Sequence, residues 1–293
     1  GCLAKRRYFE LPLASFLKRN LISLIVPYFS FWCISYGYWL LRRFVLHEVA
    51  DSQSWLDPLA GLLHGTGDML YVNVVLWFFV CLFSATLLFW CLLRLRSTTT
   101  IIVAVAAFGC LGPFIPTIVG IPLPWCLDVA MVAVSFFGLG HAFRRNFDND
   151  LQTRTGIRLL ACGVLTMALV MNAGRNAGVD VSTMVLGNPA WFYFNALVGI
   201  SAVVFLSQLI PKNLISKLIA ENTIVIFPLH LIAFGLLTAV AMFVFGLDKS
   251  FKDASLAWSL MYAVAAVAMC VPCGAIIRRL SPWAIGFRST AKS

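Results

Sequence analysis

Apolar runs of about 20 residues, the length that crosses a hydrocarbon core of about 30 Å, recur along the chain at 20–41, 72–93, 100–119, 124–143, 156–173, 190–210, 221–246 and 255–277. Short polar breaks separate them. The pattern predicts an all-α, polytopic integral membrane bundle with eight spans, organised as a single domain over 1–293. Proline marks several of the helices. Pro27 sits about two turns into the first span and Pro228 inside the seventh, where each removes a backbone donor and crowds the preceding turn. Four prolines in GPFIPTIVGIPLPW make a tight turn between spans three and four. The longest connection, 42–71, mixes carboxylates (Glu48, Asp51, Asp57, Asp68), histidines (His47, His64) and aromatics (Trp55, Tyr71). A loop of this length either has a function or is disordered; a third reading, since WLDPLAGLLH carries apolar residues at helical spacing, is a short amphipathic piece lying on the membrane.

Composition sharpens this picture. The chain is 61% hydrophobic and only 12% charged, against about 25% charged in soluble proteins, and its mean hydropathy is +0.90. No connection is long enough to hold a sizeable soluble domain. Of the 22 Lys and Arg, 17 fall at the two termini and in alternate connections on one side, leaving five on the other. The positive-inside bias therefore places both ends of this chain in the cytoplasm and requires an even number of spans. The net charge of +10 follows from that topology and from attraction to anionic headgroups, so no nucleic-acid partner is implied. The nine cysteines lie almost wholly within apolar spans and act as small hydrophobes. Even Cys270-Val-Pro-Cys273 lacks the neighbouring histidine or carboxylate that a zinc or redox site requires, and no metal is expected. No cleavable signal is visible, and a start at Gly1 suggests residues missing upstream.

Ionisable residues inside spans are expensive unless paired or wet, so they carry the functional information. Asp128 lies one turn into the fourth span, where a carboxylate either caps the helix or hydrogen-bonds a polar substrate at the outer mouth. His141, beside Arg144 and Arg145, reads as interfacial. His230 is nine positions past Glu221, about 13 Å along a helix. Pro228 leaves the Ile224 carbonyl without its helical donor, and Asn222, Thr223 and His230 suggest a narrow polar stripe. His230 either satisfies that broken backbone or lines a cavity. Asn188-Pro189-Ala190 is similar to a water-channel signature, but such channels need two copies and the chain has one.

Six stretches, in order over essentially the whole chain, carry a resemblance: FLKRNLISLIVPYFSF (16–31), DPLAGLLHGTGDMLYVNVVLWFFVCLF (57–83), LPWCLDVAMVAVSFFGLG (123–140), GVDVSTMVLGNPAWFYFNALVGI (178–200), ENTIVIFPLH (221–230) and RRLSPWAIGF (278–287). Together they resemble the membrane-bound acyltransferase type 3 family, in particular its fucose O-acetylase-like branch. The resemblance implies a bundle of ten spans in the bacterial inner membrane, moving an acyl group, usually acetyl, from cytoplasmic acyl-CoA to a carbohydrate hydroxyl. Acetyl-CoA would be a donor substrate rather than a permanently bound cofactor. It also implies that the first two spans, and with them the catalytic histidine, lie upstream of Gly1. Where the family carries arginines before Pro27-Tyr28 this chain has Asn20 and Ser23, so donor binding would fall to Lys18 and Arg19 with Tyr28 alongside.

Acyl transfer to a hydroxyl needs a base near the attacking oxygen and donors for the developing oxyanion. An anionic donor suits the basic inner mouth. A sugar acceptor suits carboxylates and aromatic faces, which on the outer side are Asp57, His64, Trp77 and Asp128, with Asn222 and His230 buried between. Two other readings are a transporter or flippase of a polar solute and an inactive remnant of the enzyme.

Overall fold

The computed structural model of the chain describes residues 6–44, 54–95, 97–147, 155–176, 178–211, 213–248, 251 and 255–286. Nearly all of them are helical, as an apolar medium demands, because a helix satisfies its own backbone groups where no water can. Among the described residues β pairing is limited to an isolated bridge between Asp180 and Val185.

Among the described residues seven helical stretches are long and apolar enough to cross a membrane: Leu13–Phe44, Val74–Leu92, Thr98–Val119, Pro124–Ala142, Pro189–Ser207, Leu214–Phe245 and Leu256–Leu280. The eighth expected span, 156–173, is a helix over Thr155–Asn172. The helices are labelled here α1 (Leu13–Phe44), α2 (Asp57–His64), α3 (Trp77–Leu92), α4 (Thr98–Leu111), α5 (Leu127–Phe147), α6 (Thr155–Asn172), α7 (Pro189–Ser207), α8 (Leu214–Phe245) and α9 (Leu256–Leu280).

The chain divides into two compact units. One comprises Gly1–Leu17 and Cys81–Ser216, the other Lys18–Val80 and Lys217–Ser293. In the first, α6 packs along α7 and α4 along α5. The Tyr193 hydroxyl of α7 donates to the Gly109 carbonyl of α4 at 2.6 Å. Val132, Leu186 and Phe192 form a small buried core beside it. Asn188 caps α7, its side-chain oxygen accepting from the backbone N–H of Ala190 (3.0 Å) and Trp191 (3.3 Å). Proline follows in the first turn, where its missing N–H costs nothing. Asn188-Pro189-Ala190 is thus a helix start.

The second unit is built on α1. A π-helical turn over Leu21–Ile25 interrupts that helix, and Pro27 accounts for it. Proline has no N–H to offer the Ser23 carbonyl and its ring crowds that turn, so the turn widens and Val26 donates to Leu21 instead. The turn Pro282–Ile285, just beyond α9, packs on α1.

Candidate functional site

The connection between α1 and α3 does not lie across the helix ends. The Tyr36 hydroxyl donates to the Trp55 carbonyl at 2.7 Å, and the Tyr28 hydroxyl to the Leu62 carbonyl at 2.7 Å. Positions 28 and 36 are about 12 Å apart on a helix. The segment from Trp55 to Leu62, α2 included, therefore runs antiparallel alongside α1, and its far end reaches the middle of the Leu13–Phe44 span. Proline in the first turn starts α2, and Gly65, in the left-handed region (φ 76°), ends it by returning its N–H to Gly61 at 2.8 Å. The chain then doubles back. Gly61 lies so close to the Met69 carbonyl that a Cβ there would collide with it, and Thr66 at the bend is buried. Tyr71 returns to the level of Trp39, their rings 6.3 Å apart. This is a re-entrant hairpin, and the amphipathic piece expected on the membrane surface is its descending arm.

Asn73 closes the hairpin. Its side-chain nitrogen donates to the Ser35 hydroxyl and to the Pro228 carbonyl, both at 2.8 Å. Ser35 passes its own proton to the Phe31 carbonyl at 2.8 Å. Because Pro228 O can only accept, the amide orientation is determined by its partners. The Asn73 side-chain oxygen then has no partner among the described residues, although the residue is only 2% exposed. Two turns of Phe packing seat this node: Phe227 meets Phe78 and Phe79 at ring distances of 5.3 and 6.0 Å.

His230 is half-buried near the middle of α8. Its Nδ1 lies 2.6 Å from the Phe227 carbonyl and 3.3 Å from that of Ile226. Carbonyls only accept, so Nδ1 carries the proton and, in the neutral ring, Nε2 keeps its lone pair. The carbonyls it reaches are those of Ile226 and Phe227, and the expected bond to Ile224 is not the one formed. The other two residues of the expected polar stripe are also engaged. Thr223 returns its hydroxyl to Ile219 at 3.0 Å, and Asn222 is fully buried in contact with α9, where it accepts from Arg278 at 2.6 Å.

The other expected site residues are distributed as follows. Lys18 and Arg19 are exposed at the start of α1, one turn before the π turn. Tyr28 is buried and holds the hairpin through Leu62. Asp57 is exposed at the head of α2 and accepts from the Ser54 N–H at 3.0 Å. Partial burial first, and then the Asp57 carboxylate, push the Tyr71 phenol above its ordinary value. His64 is carried by the hairpin to its inner end, away from the outer mouth where its sequence position suggested it, and its Nδ1 meets the Thr66 hydroxyl at 3.0 Å. Trp77 starts α3 with its ring edge-on to Phe78. Asp128, in the other unit, is 2% exposed and closes a turn: its carboxylate accepts from Val129 N–H (2.8 Å) and Leu123 N–H (3.3 Å). Trp125 and Cys126 in that turn hold left-handed backbone angles (φ 60° and 49°), a strain that non-glycine residues adopt only when their surroundings impose it. His141 packs edge-on against Phe89 at 5.7 Å in the wall of an apolar cavity of ≈ 810 Å³ that Val105, Gly109, Ser135 and Tyr193 also line.

Cys270 is buried, and Cys273 donates to the Met269 carbonyl of its own helix at 3.3 Å. Among the described residues no three His, Cys, Asp or Glu side chains gather as a metal site requires. Sequence reasoning missed Asn73, Ser35 and Arg278. All three are polar residues within or beside apolar runs, a signal that marks them only once their partners, up to 155 positions away, are known.

A family model of type 3 acyltransferases, described as an acyltransferase domain, matches residues 1–278. No curated protein and no solved structure matches the chain.

Proposed function

Because this chain belongs to the type 3 acyltransferase family and is a multi-pass membrane acyltransferase, we propose that it moves an acyl group, acetyl in the simplest case, from cytoplasmic acyl-CoA to a hydroxyl of a carbohydrate or cell-surface polysaccharide. The observation that carries this reading is the polar line inside the second unit. Tyr28, Ser35 and the Pro228 carbonyl sit within otherwise apolar helices and meet the hairpin and the buried Asn73 that ends it, with the Nε2 of His230 free of the backbone bond that its Nδ1 makes. A reaction between an aqueous thioester and a hydroxyl needs such a path, because neither reactant is soluble in hydrocarbon and the developing oxyanion needs donors.

Lys18 and Arg19 lie on the donor side in this reading, and Asp57 and Trp77 on the acceptor side with Asp128. The excess of Lys and Arg in alternate connections supports cytoplasmic ends and a bacterial inner-membrane location. The fucose O-acetylase-like resemblance of the six sequence stretches supports acetyl and sugar as the two substrates. Coenzyme A enters as substrate and leaves as product.

The test is to express the protein in bacterial membranes, supply acetyl-CoA labelled in the acetyl group, and follow label into extracted polysaccharide and lipid-linked sugars. Label in an alkali-labile ester on carbohydrate is the expected result. Flux of a polar solute without acyl transfer would replace this reading with transport.

A further inference from the structure

Arg278, in the last turn of α9, is a cation that, among the described residues, is held in place by neutral acceptors. One guanidinium nitrogen donates to the Asn222 side-chain oxygen at 2.6 Å and another to the Glu221 backbone carbonyl at 3.3 Å. Both acceptors are neutral. The nearest carboxylate along that turn, Glu221, is turned to Lys217 instead, at 3.9 Å. Asn222 is itself fixed: it is fully buried, and its nitrogen donates to the Leu218 carbonyl at 2.7 Å. Gly274, one turn before Arg278, makes the approach possible, since a Cβ there would run into the Asn222 amide. A buried asparagine, a glycine and a backbone carbonyl thus combine to aim an arginine whose full positive charge is left for something else.

The same end of this unit carries further cations. Arg279 is adjacent. Gly286, a few residues on, lies against the π turn of α1, where a Cβ would sit 2.6 Å from the Ile22 carbonyl oxygen and 3.1 Å from the Ser23 Cα. Lys18 and Arg19 stand one turn before that π turn. The end of α9 and the start of α1 therefore bring Lys18, Arg19, Arg278 and Arg279 to one end of the unit, and Arg278 is pinned by the buried Asn222 side chain.

We propose that Arg278, positioned by Asn222, binds a phosphate group. A guanidinium suits this because its planar donor array matches phosphate oxygens, and two fixed bonds reduce the entropy lost on binding. The phosphate has two possible sources, the donor nucleotide of the acyl-CoA proposed above and the headgroup of an anionic lipid at the membrane surface. The first source rests on the proposed function. The second does not.

Charge and structure are separated by Asn222→Asp. The substitution is isosteric and sets a carboxylate against Arg278, while it gives up the bond to the Leu218 carbonyl, so folding is read separately from binding. A phosphate-binding arginine loses, because its charge is now cancelled. The full chain would be reconstituted in phosphatidylcholine nanodiscs and titrated with coenzyme A. In parallel, retention of phosphatidylglycerol would be measured by native mass spectrometry. Arg278→Gln and Asn222→Asp are each expected to weaken one of these anions at least tenfold, while Arg278→Lys weakens it less, and a cooperative thermal transition in each variant shows that the loss is not a failure to fold. Loss confined to coenzyme A assigns the site to the donor, and loss confined to phosphatidylglycerol assigns it to lipid. If the wild type binds either anion and neither substitution changes that binding, the site is overturned while the proposed function stands. A wild type that ignores coenzyme A but holds phosphatidylglycerol through Arg278 sinks the acyl-CoA reading and keeps the site. A wild type that binds neither anion overturns the site.

Discussion

The side chain of Asn73 donates to the backbone carbonyl of Pro228, 2.8 Å away and 155 positions further along the chain. That bond and its companion to Ser35 join the end of the re-entrant hairpin to α1 and α8. Removing the amide leaves the Ser35 hydroxyl without a donor and withdraws one partner from the Pro228 carbonyl. Asn73→Ala is expected to destabilise the protein by about 1–3 kcal/mol, the cost of leaving buried polar groups unmatched. Asn73→Asp should be worse, because it sets a carboxylate against a carbonyl oxygen in an apolar setting. Thermal unfolding in detergent, followed by helical circular dichroism, ranks the three proteins, and an unchanged midpoint for Asn73→Ala would remove the node from any structural role.

Gly61 and the Met69 carbonyl make the closest approach in the hairpin. Gly61→Val must push the two arms apart, and overpacking of this kind costs about 1–3 kcal/mol. The sharper readout is access to the bend. With the native cysteines replaced, a cysteine at the buried position Thr66 should resist a water-soluble maleimide in the parent and react once Gly61→Val is added. Equal labelling in both would mean that the arms are not held together at this glycine.

Hydropathy read along the chain locates the spanning helices well, since in an apolar solvent length and composition decide almost everything. It fails where tertiary contacts decide. The Asp57–His64 helix has the composition of an interfacial piece, and nothing in those residues says that two tyrosine hydroxyls on α1 will accept it alongside as donors to its carbonyls. That is why His64, outer by position, lies at the inner end of the hairpin. Arg278 is one basic residue among many at a helix end until Asn222 and Gly274 are seen to aim it.

Asp180 organises the turn before α7. Its carboxylate accepts from the Ser182 hydroxyl (2.6 Å) and backbone N–H (2.9 Å), and the Ser182 hydroxyl is the main reason its pKa is lowered from 3.8. A carboxylate with a lowered folded-state value contributes stability that is complete above its unfolded-state value. That contribution is lost as pH falls below 3.8 and through the folded-state value. The protection of the Ser182 and Val185 amides against hydrogen exchange, taken relative to the intrinsic rate at each pH, is therefore expected to fall below about pH 4, and Asp180→Asn should flatten that dependence. A pH-independent protection in the parent would remove the carboxylate from the turn's stability.

His230 offers the most informative substitution in α8. Its Nδ1–H is engaged with the Phe227 carbonyl, which leaves Nε2 as the only nitrogen able to act on a substrate. His230→Asn can keep a side-chain N–H near that carbonyl while deleting Nε2, whereas His230→Ala deletes both. If His230 supports the helix beside Pro228, the asparagine variant should melt near the parent and His230→Ala several degrees lower, with acyl transfer falling only a fewfold in each. Protein level, melting temperature and transfer of labelled acetyl should be measured on the same preparations. Complete loss of transfer in a well-folded His230→Asn would instead place Nε2 among the groups that touch the reactants.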